Sequence, residues 1–245
     1  MLNDIWTVIQ KDLKEVLSSR GSRKSSLIYL GVVVGLMGVF MPLQSGRAWL
    51  TEPVLPLVWS WFPVFLMIGM VTDSIAGERE RNTLETLLAS RLSDQAILFG
   101  KIGGAVLYGW SISFVSNLIA VAVVNFSDPA GGFQFYAPIL YLVLLLVPII
   151  IGLLMSTLGV LVSLNAPTAR SAYQKLSLVM LAFWFIPMFV INLAPEEMKI
   201  QINQFINSIN LIQLAVLGLL VVLTITVGLM ITAMRRFRRT RLILD

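Results

Sequence analysis

Nine charged residues crowd into the stretch Asp73–Lys101: the acids Asp73, Glu78, Glu80, Glu85 and Asp94, and the bases Arg79, Arg81, Arg91 and Lys101. Acids and bases alternating in a run such as Glu78-Arg79-Glu80-Arg81 suit charge-assisted hydrogen bonding to a protein surface. They do not suit catalysis here. The chain has no histidine and no cysteine, which excludes Ser-His and Cys-His nucleophiles, HExxH zinc sites, thiolate metal sites and imidazole ligation of haem. A phosphate-cradling loop is missing too. Gly100-Lys101 is followed by Ile102, and the position five before Gly100 is Gln95, so G-x-x-x-x-G-K-[ST] does not occur there.

The elements that must position this run are apolar. Of 245 residues, 57% are hydrophobic and 13% charged, with a mean hydropathy of +0.86. A soluble domain carries about 25% charged residues. The expected fold class is therefore an all-α membrane protein, a single domain over 1–245. A spanning helix needs roughly 20 mostly apolar residues. Six segments free of Asp, Glu, Lys and Arg approach or meet that: Leu27–Leu43, Val54–Thr72, Ile102–Val124, Pro138–Leu164, Leu176–Leu193 and Asn210–Met234. With both termini in the cytoplasm, 16 of the 18 Lys and Arg residues fall inside and only Arg47 and Lys199 outside. The positive-inside rule thus predicts cytoplasmic N- and C-termini and a multi-pass chain in the plasma membrane. It also makes the basic tail, residues 235–245, an orientation signal and lipid anchor, with nucleic acid not expected as a partner.

Two amphipathic helices are expected outside the spans. In residues 1–26, Leu2, Ile5, Trp6, Ile9, Leu13, Val16 and Leu17 recur at helical spacing with charges between them. This predicts a cytoplasmic helix at the inner membrane interface, with Trp6 at headgroup depth. Between the fifth and sixth spans, Pro195 and the acids Glu196 and Glu197 open a helix whose apolar stripe is Met198, Ile202, Phe205, Ile206 and Ile209. Trp49, Trp59, Trp61 and Trp110 are expected at membrane interfaces. Pro63, Pro148 and Pro187 are expected to kink spans. Gly100 and Gly104 are expected to let helices pack closely.

Within 73–101, Leu84, Leu87, Leu88 and Leu92 form an i, i+3, i+4, i+8 stripe. Asn82 or Thr83 is placed to cap its start, with Glu85 in the first turn. Ser93 or Asp94 is placed to cap a second helix running into the third span. Leucines with a charged rim have the anatomy of a protein interface; the same helix could also rest on lipid headgroups. The run GERERNTLETLLASRLSDQAILFGK resembles the cytoplasmic segment after the second span of type-2 ATP-binding-cassette (ABC) transporter permeases. In that family the pattern reads roughly E-[RK]-E-x-G-T-L-E-x-L-L-x-[ST]-P-[LIV]-S, then a short helix and G-K. Here Asn82 stands where Gly is common and Arg91 where Pro is common. Six spans, the N-terminal helix and the outer helix match as well, so the resemblance covers essentially the whole chain.

The resemblance implies the transmembrane subunit of an ATP-driven exporter, with no enzyme activity of its own. ATP and Mg would be bound by a separate ABC ATPase subunit, two copies per transporter, and a second permease copy or homologue would complete the pathway. It implies a coupling helix within residues 78–92: Glu78, Arg79, Glu80 and Arg81 in polar contact with the ATPase, and Thr83, Leu84, Glu85, Leu87 and Leu88 seated in its cleft. Uncharged spans agree, because ion-coupled transporters keep intramembrane charges. The alternatives are a haem- or polysaccharide-export permease of the same architecture, or a non-transporting membrane scaffold. The substrate is not legible.

Overall fold

The computed structural model describes residues 1–18, 23–208 and 211–237. Arg20, Ile209, Asn210, Arg238, Arg239 and Arg241 lie outside the described residues, as do the side chains of Leu17, Pro187, Ile202, Phe205 and Ile206. Among the described residues the chain is helical, with no strand.

Helix α1 (Leu2–Ser18) precedes α2 (Arg23–Val34), a π-helical turn (Gly35–Phe40) and α3 (Met41–Ser45). Short helices α4 (Ala48–Thr51) and α5 (Val54–Trp59) lead into α6 (Phe62–Thr72). A second π turn (Asp73–Gly77), α7 (Glu78–Glu80) and α8 (Leu84–Leu88) follow, and then the 34-residue α9 (Asp94–Ser127). Next are α10 (Pro138–Asn165), α11 (Ala169–Leu193), α12 (Glu196–Ser208) and α13 (Leu211–Arg236). Four described stretches are long and apolar enough to cross a membrane: Val54–Glu80, Asp94–Ser127, Pro138–Asn165 and Leu217–Arg236. The first expected span is shorter, an apolar stretch over Leu30–Ser45 widened by the π turn. The fifth falls on α11.

Helix α9 is the axis, with α1, α6, α10 and the first π turn packed round it. Its approach to α1 depends on glycine, as the sequence predicts. A Cβ on Gly100 would lie 2.5 Å from Val8 Cβ, so only glycine lets the two backbones come this near. Consequently α1 turns Val8, Ile9 and Asp12 inward and leaves Leu2 and Trp6 exposed. The bundle end near α8 closes over Ile75, Leu84, Leu88, Ile97, Leu98 and Phe237. The opposite end closes over Trp49, Leu50, Val121, Tyr136 and Leu144. Trp49 is thus a core residue and does not face headgroups, because its indole N–H finds a partner inside: Nε1 donates to the Tyr136 hydroxyl at 3.1 Å. Pro63 lies in the first turn of α6, where a backbone N–H has no acceptor within the helix, whereas Pro148 lies inside α10.

Candidate functional site

The charged run sits where α6 runs out of apolar sequence. The π turn Asp73–Gly77 carries the chain from the core toward the bundle end, and its buried residue Ser74 offers its carbonyl to the ammonium of Lys101. Lys101 is fully buried on the stripe of α9 that also carries Ile97, Leu98 and Ala105. Its Nζ lies 3.1 Å from Glu78 Oε2 and 3.7 Å from Asp12 Oδ2. Lys11, the neighbour of Asp12 on α1, donates to Glu78 Oε1 at 2.5 Å. One carboxylate on α7 therefore holds a lysine from α9 and another from α1.

The next three residues each grip a different helix. Arg79 donates to the carbonyls of Leu164 (3.0 Å) and Ala166 (3.3 Å) at the C-terminal end of α10, where unsatisfied carbonyls attract a cation. Glu80 accepts the backbone N–H of Ala169 at 2.7 Å, at the positive start of α11. Arg81 pairs with Glu15 of α1 at 3.1 Å and with Asp73 at 3.3 Å. The four residues expected to contact an ATPase are thus engaged within this chain, on α1, α9, α10 and α11.

The turn into α8 explains an unusual residue. Asn82 has φ 56°, in the left-handed region. Glycine suits that position, and asparagine is among the few others that tolerate it. Thr83 stands at the N-cap of α8, but its hydroxyl donates back to the Glu78 carbonyl at 3.2 Å instead of capping a free N–H. Leu84 and Leu88 are buried in the chain's own core, Leu87 is half-buried, and Glu85, Thr86 and Ala89 are exposed. The stripe thus anchors α8 to the bundle and presents its other face outward. Ser93 caps α9 as expected, its Oγ accepting the Ala96 N–H at 3.2 Å.

Electrostatics in the cluster follow from burial. Burial pushes the Asp12 carboxyl above its ordinary value; Lys101 opposes this and Glu78 adds to it. For Lys11, burial works against the charge, but the hydrogen bond and charge of Glu78 outweigh it and hold the pKa above the ordinary value. Asp12, Glu15 and Glu78 bring carboxylate oxygens within 4.8 Å of one another. Lys101, Lys11 and Arg81 already face those oxygens, so the set fits an ion-pair network and not a metal.

A family model described as ABC-2 family transporter protein matches residues 10–226. The chain belongs to the ABC-2 transporter family. It is a multi-pass membrane protein and a permease-type transport subunit. No curated protein matches it. The contribution of Lys11, Asp12 and Glu15 to this ABC-2 permease's charged site is not apparent from motif reading. A signal was present: Asp12 lies on the apolar stripe with Val8, Ile9 and Val16, where a carboxylate needs a buried partner.

Proposed function

We propose that this ABC-2 permease is the transmembrane subunit of an ATP-driven exporter, coupled to a separate ATPase through residues 78–92. The carrying observation is the division of labour in that segment. The outward face of α8, with Thr83, Glu85 and the half-buried Leu87, is free to seat in an ATPase cleft. Leu84 and Leu88 root the helix in the core, and Glu78, Arg79, Glu80 and Arg81 tie its entrance to four other helices. A push on α8 is thereby delivered to the ends of α1, α9, α10 and α11 together, which is what rigid-body switching of access requires.

In this reading the chain spans the membrane six times, with both termini and the segment 73–101 in the cytoplasm. Two permease subunits, copies or homologues, pair with two ATPase subunits that bind ATP and Mg. No phosphate loop in this chain competes for that role.

The test is co-expression with an ABC ATPase from the same genome, mild-detergent capture of the tagged permease, and assay of bound ATPase and its turnover. Leu87→Asp and Glu85→Lys should release the ATPase while the permease still purifies as a monodisperse species. Undiminished capture and turnover in both variants would remove α8 from the interface. Because the chain has no native cysteine, a single Ala89→Cys reports orientation: impermeant maleimide should label it only from the cytoplasmic side.

A further inference from the structure

The charged end holds a second feature, separate from the ion-pair hub. A cavity of about 700 Å³ lies between the first turn of α9 and the last turns of α13. Leu98, Ile231, Met234 and Phe237 supply apolar walls, and Arg91, Asp94 and Arg235 line the same space. Leu98 and Phe237 are buried, whereas Arg91 and Arg235 are exposed at the rim. The lining thus carries two guanidinium groups and one carboxylate. Arg79, Arg81 and Lys101 have partners in the chain. Among the described residues no ion pair engages Arg91 or Arg235.

Position along α13 narrows the occupant. Ile231 and Arg235 are four residues apart, on one face and about 6 Å apart along the axis. A molecule lying along this groove therefore meets hydrocarbon at one level and a guanidinium one turn further on. A small soluble anion has no use for Ile231 and Met234, and a neutral lipid has none for two arginines that no ion pair among the described residues engages. The planar fork of arginine matches phosphate oxygens, and basic pockets between helices on the cytoplasmic side take anionic headgroups.

We propose that this groove binds one anionic phospholipid, its phosphate between Arg91 and Arg235 and an acyl chain along Ile231 and Met234. The lipid would bridge α13 to the corner between α8 and α9, so that the last span and the charged segment share an adhesive from the membrane. The proposal rests on the cytoplasmic placement of this end given above.

The experiment is native mass spectrometry of the full detergent-solubilised chain, titrated with phosphatidylglycerol or phosphatidylcholine of matched acyl chains. One phosphatidylglycerol should be retained at stoichiometry and phosphatidylcholine should not. Arg91→Gln with Arg235→Gln should weaken that retention about tenfold or more, while the control Arg170→Gln leaves it unchanged. Glycerol phosphate in excess should fail to displace the lipid. Equal retention of both lipids, or undiminished retention in the double variant, overturns the proposal. So does displacement by glycerol phosphate, which would mark a site for soluble anions. A chain ending at Phe237 should still bind; loss of binding there with none in the double variant would assign the lipid to the tail instead. The readout needs neither ATPase nor orientation, so failure of capture or of Ala89→Cys labelling leaves it interpretable.

Discussion

The two ends of the helix bundle solve the same packing problem with different chemistry. At one end Lys101, Glu78 and Asp12 bury charges against one another between α1, α7 and α9. At the other, Trp49, Tyr136 and Asn117 form a neutral chain: the Trp49 indole donates to Tyr136, whose hydroxyl donates to Asn117 Oδ1 at 3.4 Å. The ion pair beside it, Arg47 with Asp128 at 2.6 Å, lies in exposed loops. A neutral aromatic core loses modestly when one hydrogen bond goes. A buried ionic core leaves stranded charge when one partner goes, and is replaceable only as a set. The charged end is therefore the one where removing a single partner costs more.

The sharpest break of this contrast is Lys101→Met. It leaves Asp12 in the core without its cation and Glu78 with Lys11 alone, and should cost about 3–5 kcal/mol, read as loss of a monodisperse peak or a collapse of the detergent unfolding temperature. Adding Glu78→Met and Asp12→Met should recover much of that loss. If the triple variant is no better than the single one, the cluster is not a mutually compensating ionic set. At the neutral end Tyr136→Phe leaves the Trp49 N–H without its acceptor and should cost about 1–3 kcal/mol. A larger loss than that of Lys101→Met would reverse the ranking of the two ends.

Smaller effects test how each end is joined to its loops. Asn82→Val forces a β-branched residue into φ 56° and should cost about 1–2 kcal/mol, whereas Asn82→Gly should be neutral or better. The pair of variants separates backbone strain from lost side-chain contacts. Asp128→Asn at the opposite end should cost about 1 kcal/mol or less, because the Arg47 pair is half exposed and screened. Arg47 also keeps its bonds to the carbonyls of Asp128 and Gly132.

What the sequence made legible at the charged end was local. The Ser93 cap, the Leu84 and Leu88 stripe and the helical N-terminus each follow from residues within a few positions of one another. The close approach at Gly100 was legible as well, because a missing side chain has one structural use there. The partners of Glu78, Arg79 and Glu80 were not. They lie on helices far away in the chain, and an alternating run of acids and bases reads equally as a solvated rim or as a buried hub. Only the fold selects between these by bringing Lys11, Lys101, Leu164 and Ala169 to one place. Trp49 was misread for the related reason that Tyr136, the acceptor which allows its burial, lies beyond α9.

The smallest effect expected is a slope and not a step. Burial holds the Asp12 carboxyl above its ordinary value of 3.8, so the folded protein keeps a proton there that the unfolded chain has released. Stability from this group is then greatest below that value and declines as pH rises through the raised native pKa. Lys11 adds a second, separate decline: its raised native pKa contributes stability that is complete below 10.5 and is lost as pH climbs through the raised value. Asp12→Asn should remove the acid-side slope and leave the alkaline one. The measurement is the unfolding temperature from pH 4 upward in a salt-matched buffer series. The absolute level of the variant is uninformative, because losing the attraction to Lys101 and losing the desolvation penalty act in opposite directions. Only the slope isolates the buried carboxyl. An acid-side slope unchanged by Asp12→Asn would mean that Asp12 reaches water, and with it that the charged end is less sealed than the aromatic one.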